Sequence, residues 1–332
     1  MRLNSLLLFF GLVAWLPKSV AAQTKPKPTV ILFVGNSYFH GARPPMLNYN
    51  AAAITDENFT PDRRGQRRRM YANEPGPWGG VPGIFKKLTD EAGLNYEVHI
   101  EAISGQTLKF HYDSALAIIQ QPRWDRVIMH DLSTGPLPSR HGGQPERFRE
   151  YATKLEQAIH TANPVAQVYF YQTWVGASLV YPAGGAYAGL PLDSMTHDLH
   201  AAYYGLAQQN GHIAGVAPAG DAWLRAIQQG VAMPNPYAPE PSKINLWEAD
   251  HRHPSRWGAY LSACVVFGEI TGRDPRKLGA AEEAAATLGI TPAQAVALQR
   301  VAYEQLKAAG QKLGSKEQKV KVKTKSSAVH AN

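Results

Sequence analysis

Cysteine is almost absent from this sequence. One thiol, Cys264, in 332 residues excludes an internal disulfide framework, a cysteine-based zinc site and a cysteine nucleophile. Cys264 lies in the helix-like apolar run "YLSACVVFGEI" and reads as a small buried hydrophobe. Long apolar stretches are also scarce. The one run of note, "LLLFFGLVAWLP", follows Met1 and Arg2, precedes "KSVAAQ", and is too short to span a bilayer comfortably. A basic start, a short apolar centre and small residues near Ala21 and Ala22 predict a secretory signal peptide over residues 1–22. The other reading is a buried N-terminal helix or an uncleaved anchor. With no later run of that kind, the expected product is a secreted or periplasmic protein with no stable membrane insertion. Internal repeats are lacking too.

Acidic residues are in deficit, and the net charge is +8. Much of the excess sits in "PDRRGQRRR" at 61–69 and in "KEQKVKVKTK" at 316–325. The first falls in an insertion rich in Arg, Pro and Gly, placed at 54–80. The second belongs to a basic tail, 314–332, too polar to bury a core. Neither a zinc-finger nor an RNA-recognition pattern accompanies them, so a nucleic-acid partner is not expected.

What is present is a core-forming middle. With 44% hydrophobic residues, the chain can bury a substantial core. Short apolar runs, "TVILFVGNS", "NYEVHIEAI", "DRVIMHDLS", "AQVYFYQTW" and "HIAGVAPAG", alternate with amphipathic stretches. Those stretches predict helices over 81–94, 107–121, 145–163 and about 193–210. Near-continuous apolar strands separated by helices imply a parallel sheet covered on both faces, in one domain from about residue 24 to 310.

In such sheets functional groups gather at the carboxyl ends of the strands. Those positions hold Gly35-Asn36-Ser37, Ser104-Gly105-Gln106, His130-Asp131-Leu132-Ser133 and Gln172-Thr173-Trp174. Near the C-terminus, "WEADHRHPSRWGAYL" places Asp250 three residues before His253, just ahead of a good helix start at Pro254-Ser255. A nucleophilic serine needs a base within hydrogen-bond reach and an acid that fixes the base's tautomer. Asp-x-x-His in a tight loop has the spacing for such a pair.

With these blocks in this order, the chain resembles the SGNH (GDSL-type) hydrolases, closest to a carbohydrate-acetylesterase-like branch. The matching blocks are Gly35-Asn36-Ser37, Gly105, the "HDLS" stretch, and Asp250 with His253. The resemblance implies a three-layer α/β/α, flavodoxin-like sandwich around a parallel sheet. It implies Ser37 as nucleophile, His253 as general base and then acid, and Asp250 as its orienter. No cofactor is implied. The Ser37 and Gly105 backbone N–H groups would form part of an oxyanion hole. The third block departs from the family's usual Gly-x-Asn-Asp. Laying "HDLS" over the branch's Gln-Gly-Glu-Ser puts His130 where a third oxyanion donor is expected, with Ser133 and Thr134 as alternatives. The implied substrate is a small acyl ester, most simply acetyl on a carbohydrate. A lipase- or phospholipase-like esterase, and a non-catalytic carbohydrate-binding relative, are the other readings.

Each block also has a simpler explanation. Ser37 can be a helix cap, and Gly105 can serve a tight turn. His251 and His253, with His130 or Asp131, are types that ligate zinc. His197 and His200 sit at helical spacing and read as surface. The Gly-x-Ser of "VGASLV" lacks the closing glycine of a nucleophile elbow and reads as a loop. Trp78, Trp174, Trp247 and Trp257 lie near predicted loops or helix starts, and suit either sugar stacking or a core.

Overall fold

The computed structural model describes residues 27–59 and 76–314. The expected signal peptide, the Arg-rich run at 61–69 and the tail beyond Gly314 lie outside the described residues. A six-stranded sheet organises the rest. Its strands are β1 (Thr29–Gly35), β2 (Thr55–Asp56), β3 (Tyr96–Ala102), β4 (Arg126–Met129), β5 (Gln167–Tyr171) and β6 (Ile213–Ala217). They run in the order β2-β3-β1-β4-β5-β6, and every pairing is parallel. Seven longer helices accompany them among the described residues: α1 (Gly80–Glu91), α2 (Leu108–Ile119), α3 (Pro145–Ala162), α4 (Asp193–Asn210), α5 (Ala219–Gln228), α6 (Arg256–Thr271) and α7 (Pro292–Ala308).

The two faces of the sheet are told apart by strand alternation. Phe33 of β1 is in register with Ile128 of β4, which is in register with Tyr169 of β5, so the three share a face. Phe33 meets Phe85 of α1 edge-on, with ring centroids 5.6 Å apart. On the other face, Phe170 packs with Phe148 of α3 and Tyr203 of α4. β1 lies between β3 and β4 within the sheet, and with helices over both faces its apolar residues are buried. That burial is why "VILFV" reads as an unbroken hydrophobic run.

Three features differ from the sequence reading. Thr55 and Asp56, assigned to an insertion, instead add an edge strand beside β3. The Asp56 side chain accepts the Trp78 N–H at 3.1 Å, which fastens the far end of that segment to the domain. "ASLV" (177–180), read as loop, forms a helical turn. α7 went unread, although Thr291 and Gln294 form a capping box and Pro292 opens the helix. α7 lies over α6, with the Gln299 amide donating to the Tyr260 hydroxyl at 2.8 Å. α6 is thereby buried almost all round. That burial explains its lack of a polar stripe and the inaccessibility of Cys264, whose thiol burial pushes up.

At the β6 edge, the α6 residue Glu269 packs over Gly215. A β-carbon at Gly215 would fall 2.2 Å from the Glu269 carboxylate, so any larger residue there would require that carboxylate to move. Burial pushes the Glu269 carboxyl up to about 8, with Gln311 opposing. A raised acid pKa adds stability that is complete below the unfolded value and is lost as pH rises toward the folded one. Glu269→Gln is therefore expected to be more stable than the parent at pH 8.5 by about 1–3 kcal/mol, allowing for partial exposure, and about equal at pH 4.5. Urea denaturation at the two pH values measures this. An equal difference at both would show that Glu269 is ionised throughout.

Candidate active site

The chain runs from β1 out to β3, then crosses to β4 on the opposite side of β1. This reversal opens a crevice at the carboxyl ends of the central strands. The residues that follow these three strands line one cleft of about 500 Å³. Asn36, Ser37 and Tyr38 come from β1, Ser104 and Gly105 from β3, and Leu132 and Ser133 from β4. Arg252 and His253 close it from the loop before α6, and Leu47 and Trp78 form an apolar wall.

Ser37 opens a four-residue helical turn that continues β1, capped by the Asn36 side chain, which accepts the Tyr38 N–H at 3.1 Å. The cap is therefore Asn36, one residue before the serine. The Ser37 hydroxyl is left to the cleft, where its Oγ lies 2.8 Å from His253 Nε2. His253 Nδ1 lies 2.5 Å from Asp250 Oδ2. The second Asp250 oxygen accepts the N–H groups of Arg252 and His253, each at 2.9 Å. Burial works against the Asp250 charge, but the His253 ring and these two loop N–H groups outweigh it and hold the carboxyl below the usual range. A carboxylate can only accept, so Nδ1 carries the proton and Nε2 presents its lone pair to Ser37.

The loop that positions Asp250 and His253 is tightly tied. Glu248 and His253 pair through their backbones, and His251 adopts a left-handed conformation, φ +58°, at the bend. Ser255 caps α6 by accepting the Gly258 N–H, and its hydroxyl donates to the Asn245 carbonyl at 2.7 Å. From the segment after β5, the Trp174 indole donates to the Arg252 carbonyl at 3.0 Å, and the Ser178 N–H donates to the His251 carbonyl at 3.1 Å. Trp174 is stacked between Tyr38 at 4.4 Å and Trp223 at 4.3 Å. One indole thus links the serine's neighbour to the histidine loop.

Gly105 has φ +71° and open space where a β-carbon would stand, so it is the backbone conformation that favours glycine there. Among the described residues, neither the Ser37 nor the Gly105 backbone N–H has an acceptor within the protein.

His130 does not have the place expected of an oxyanion donor. It is fully buried and does not line the cleft. Its Nδ1–H donates to the Asp131 carbonyl at 2.8 Å, and its Nε2 accepts the Asn36 N–H at 3.4 Å. Burial pushes its pKa down to about 3, against the Asp131 carbonyl, so the ring is neutral and its single N–H is already committed. The ring packs on Gly35, where a β-carbon would fall 2.3 Å from Nε2. Gly35 therefore admits an imidazole that orders the Asn36 backbone. Leu132 and Ser133 of that block border the cleft, and Ser133 is the polar one.

Asn36 has a part that the sequence did not suggest. Its amide donates to the Gln106 carbonyl at 2.9 Å and to the Asp131 carbonyl at 3.4 Å, joining the loops after β3 and β4 to its own. These two bonds were invisible in the sequence because Gln106 and Asp131 are distant from Asn36 along the chain.

The zinc alternative finds no support in this arrangement. Asp131 Oδ1 accepts the Leu108 and Leu132 N–H groups, and the His251 ring lies against Tyr237. Among the described residues, no group of three or more His, Cys, Asp or Glu side chains is arranged to hold a metal ion. His197 and His200 are exposed on α4. Of the four tryptophans, Trp174 and Trp247 are core, Trp257 bonds Gln294, and Trp78 alone borders the cleft. Among the described residues, no helix is long and apolar enough to cross a membrane.

No protein-family model matches the chain, and no curated protein matches it. Solved structures do. A DUF4886 family protein from Bacteroides uniformis is similar with a TM-score of 0.52 and 16% identity, over 87% of this chain and 98% of that one. An acetylxylan esterase from Geobacillus stearothermophilus is similar at a TM-score of 0.44 and 13% identity, over 73% and 94%. A phospholipase A1 from Streptomyces albidoflavus is similar at 0.40 and 12%, over 70% and 95%. At these identities the likeness is one of fold.

Proposed function

We propose that this protein is an exported serine esterase that removes small acyl groups, acetyl foremost, from carbohydrate. The observation that carries the reading is the unbroken hydrogen-bonded relay from Ser37 Oγ through the His253 ring to Asp250, opening onto a cleft. In this reading Ser37 Oγ attacks the ester carbonyl carbon while its proton passes to His253 Nε2. The oxyanion is met by the Ser37 and Gly105 N–H groups, with the Ser133 hydroxyl as the side-chain donor of the third block. Collapse breaks the bond to the alcohol oxygen, which leaves with the proton from His253. Water, deprotonated by His253, then releases the acid and restores Ser37. The all-parallel sheet flanked by helices supports the flavodoxin-like, SGNH-type sandwich implied by the sequence blocks.

Intact Ser37, His253 and Asp250 argue against a binding-only relative. A fluorophosphonate is expected to add one label, located on Ser37 by peptide mass spectrometry. A panel of p-nitrophenyl esters and acetylated glycans should show turnover highest for acetate and falling with chain length. Failure of the label together with an inactive panel would sink the esterase reading. A preference for long chains would turn it toward a lipase.

A further inference from the structure

We infer that Arg252 recognises a negative charge on the alcohol half of the ester, so that the preferred substrate is an acylated sugar acid. The inference rests on the esterase reading and specifies its substrate. Arg252 lines the cleft beside His253, and among the described residues that line it there is no aspartate or glutamate. The nearest acid in sequence, Asp250, is taken up by the His253 ring and two backbone N–H groups. Arg252 itself forms no ion pair among the described residues. Its side chain has one hydrogen bond there, from Nε to Ser178 Oγ at 3.4 Å. Its charge is felt inside the site: burial pushes the Tyr38 hydroxyl up to about 12, and Arg252 is among the groups that oppose the rise.

The backbone beneath the guanidinium is fixed at both ends of the residue. The Arg252 N–H donates to Asp250, and its carbonyl accepts from the Trp174 indole. A partly exposed guanidinium at the cleft, held on a rigid loop with no carboxylate partner among the described residues, is available to pair with an anion. The direction of the chemistry says which half of the ester carries that anion. The carbonyl oxygen faces the Ser37 and Gly105 N–H groups, whereas the alcohol leaves on the side of His253, which gives it a proton. Arg252 adjoins His253, so its reach is to the alcohol. A planar guanidinium fits a carboxylate in bidentate fashion, which suits a uronate.

The test compares kcat/KM for an acetylated methyl glycoside, the matching acetylated methyl glycosiduronate, and 1-acetylglycerol 3-phosphate. The full-length protein, R252Q and R252K are assayed, with folding of each variant checked by circular dichroism. The parent is expected to favour the uronate over the neutral sugar by about 10- to 100-fold, the size of a charge-assisted pair. R252Q should bring that ratio to near one through KM, and R252K should keep part of it. Added salt should shrink the ratio in the parent and in R252K but leave R252Q unchanged. A ratio near one in the parent, or one unchanged in R252Q, overturns the inference while turnover of the neutral ester leaves the esterase reading standing. A gain confined to the phosphate ester overturns the sugar-acid assignment. Absence of turnover on all three esters, with no fluorophosphonate label, removes the esterase reading and this inference with it.

Discussion

Ser37→Ala is expected to lower turnover of p-nitrophenyl acetate by about 10⁵- to 10⁶-fold, leaving only what cleft binding and the backbone N–H groups contribute. The size follows from the serine's position in the relay. Its Oγ bonds the His253 ring, and no other hydroxyl is recorded against Nε2. Folding should survive, because Ser37 lies beyond the end of β1 and the turn is capped by Asn36. Thermal unfolding of the variant should therefore match the parent within a few degrees. A variant that keeps the parent's rate within about tenfold, while folded, would mean that another group attacks the ester.

Asp250→Asn is expected to cost about 10⁴-fold in kcat. An amide can turn its NH₂ toward His253 Nδ1, which favours the tautomer with the proton on Nε2. The lone pair needed by Ser37 is then lost, and no negative charge supports the imidazolium that forms. The same residue has a stability consequence. Its carboxyl is held below the usual range in the folded chain, so the stability it adds is present above about pH 4 and is lost as pH falls through the lower folded value. The asparagine variant should thus lose the corresponding acid-side slope in a denaturation series. Near-parental kcat in a folded variant would show that His253 is oriented by something other than Asp250.

Local pattern carried much of the architecture. "TVILFVG" and "AQVYFYQ" announce buried strands because β-branched and aromatic residues run unbroken, and the helices between them show amphipathic spacing with clear ends. α3 and α4 were legible for that reason. The serine after β1 and the Asp250–His253 pair were legible because strand ends and a three-residue spacing are local features. α7 was not among the expected helices, although its capping box, Thr291 with Gln294, is a local feature. β2 was unreadable, since two residues have no periodicity and gain their identity only by pairing with β3.

The sequence by itself determined the alternation of strands and helices, and it marked a candidate nucleophile and a candidate base–acid pair, because each is a local pattern. Only the tertiary structure decided which groups meet across the strand ends. Ser37 and His253 are 216 residues apart in sequence, yet Oγ and Nε2 lie 2.8 Å apart, because the loop before α6 is folded over the crevice at the end of β1. It also decided the role of His130. In sequence, a histidine after a buried strand is equally suited to donate into the cleft or to brace a backbone. Burial removes its charge, the Asp131 carbonyl takes its only N–H, and Gly35 gives the ring room behind the serine turn. The Asp131 bond is local, but the burial and the approach to Gly35 come from solvent exclusion and from atoms distant along the chain, and neither is written in local residue order.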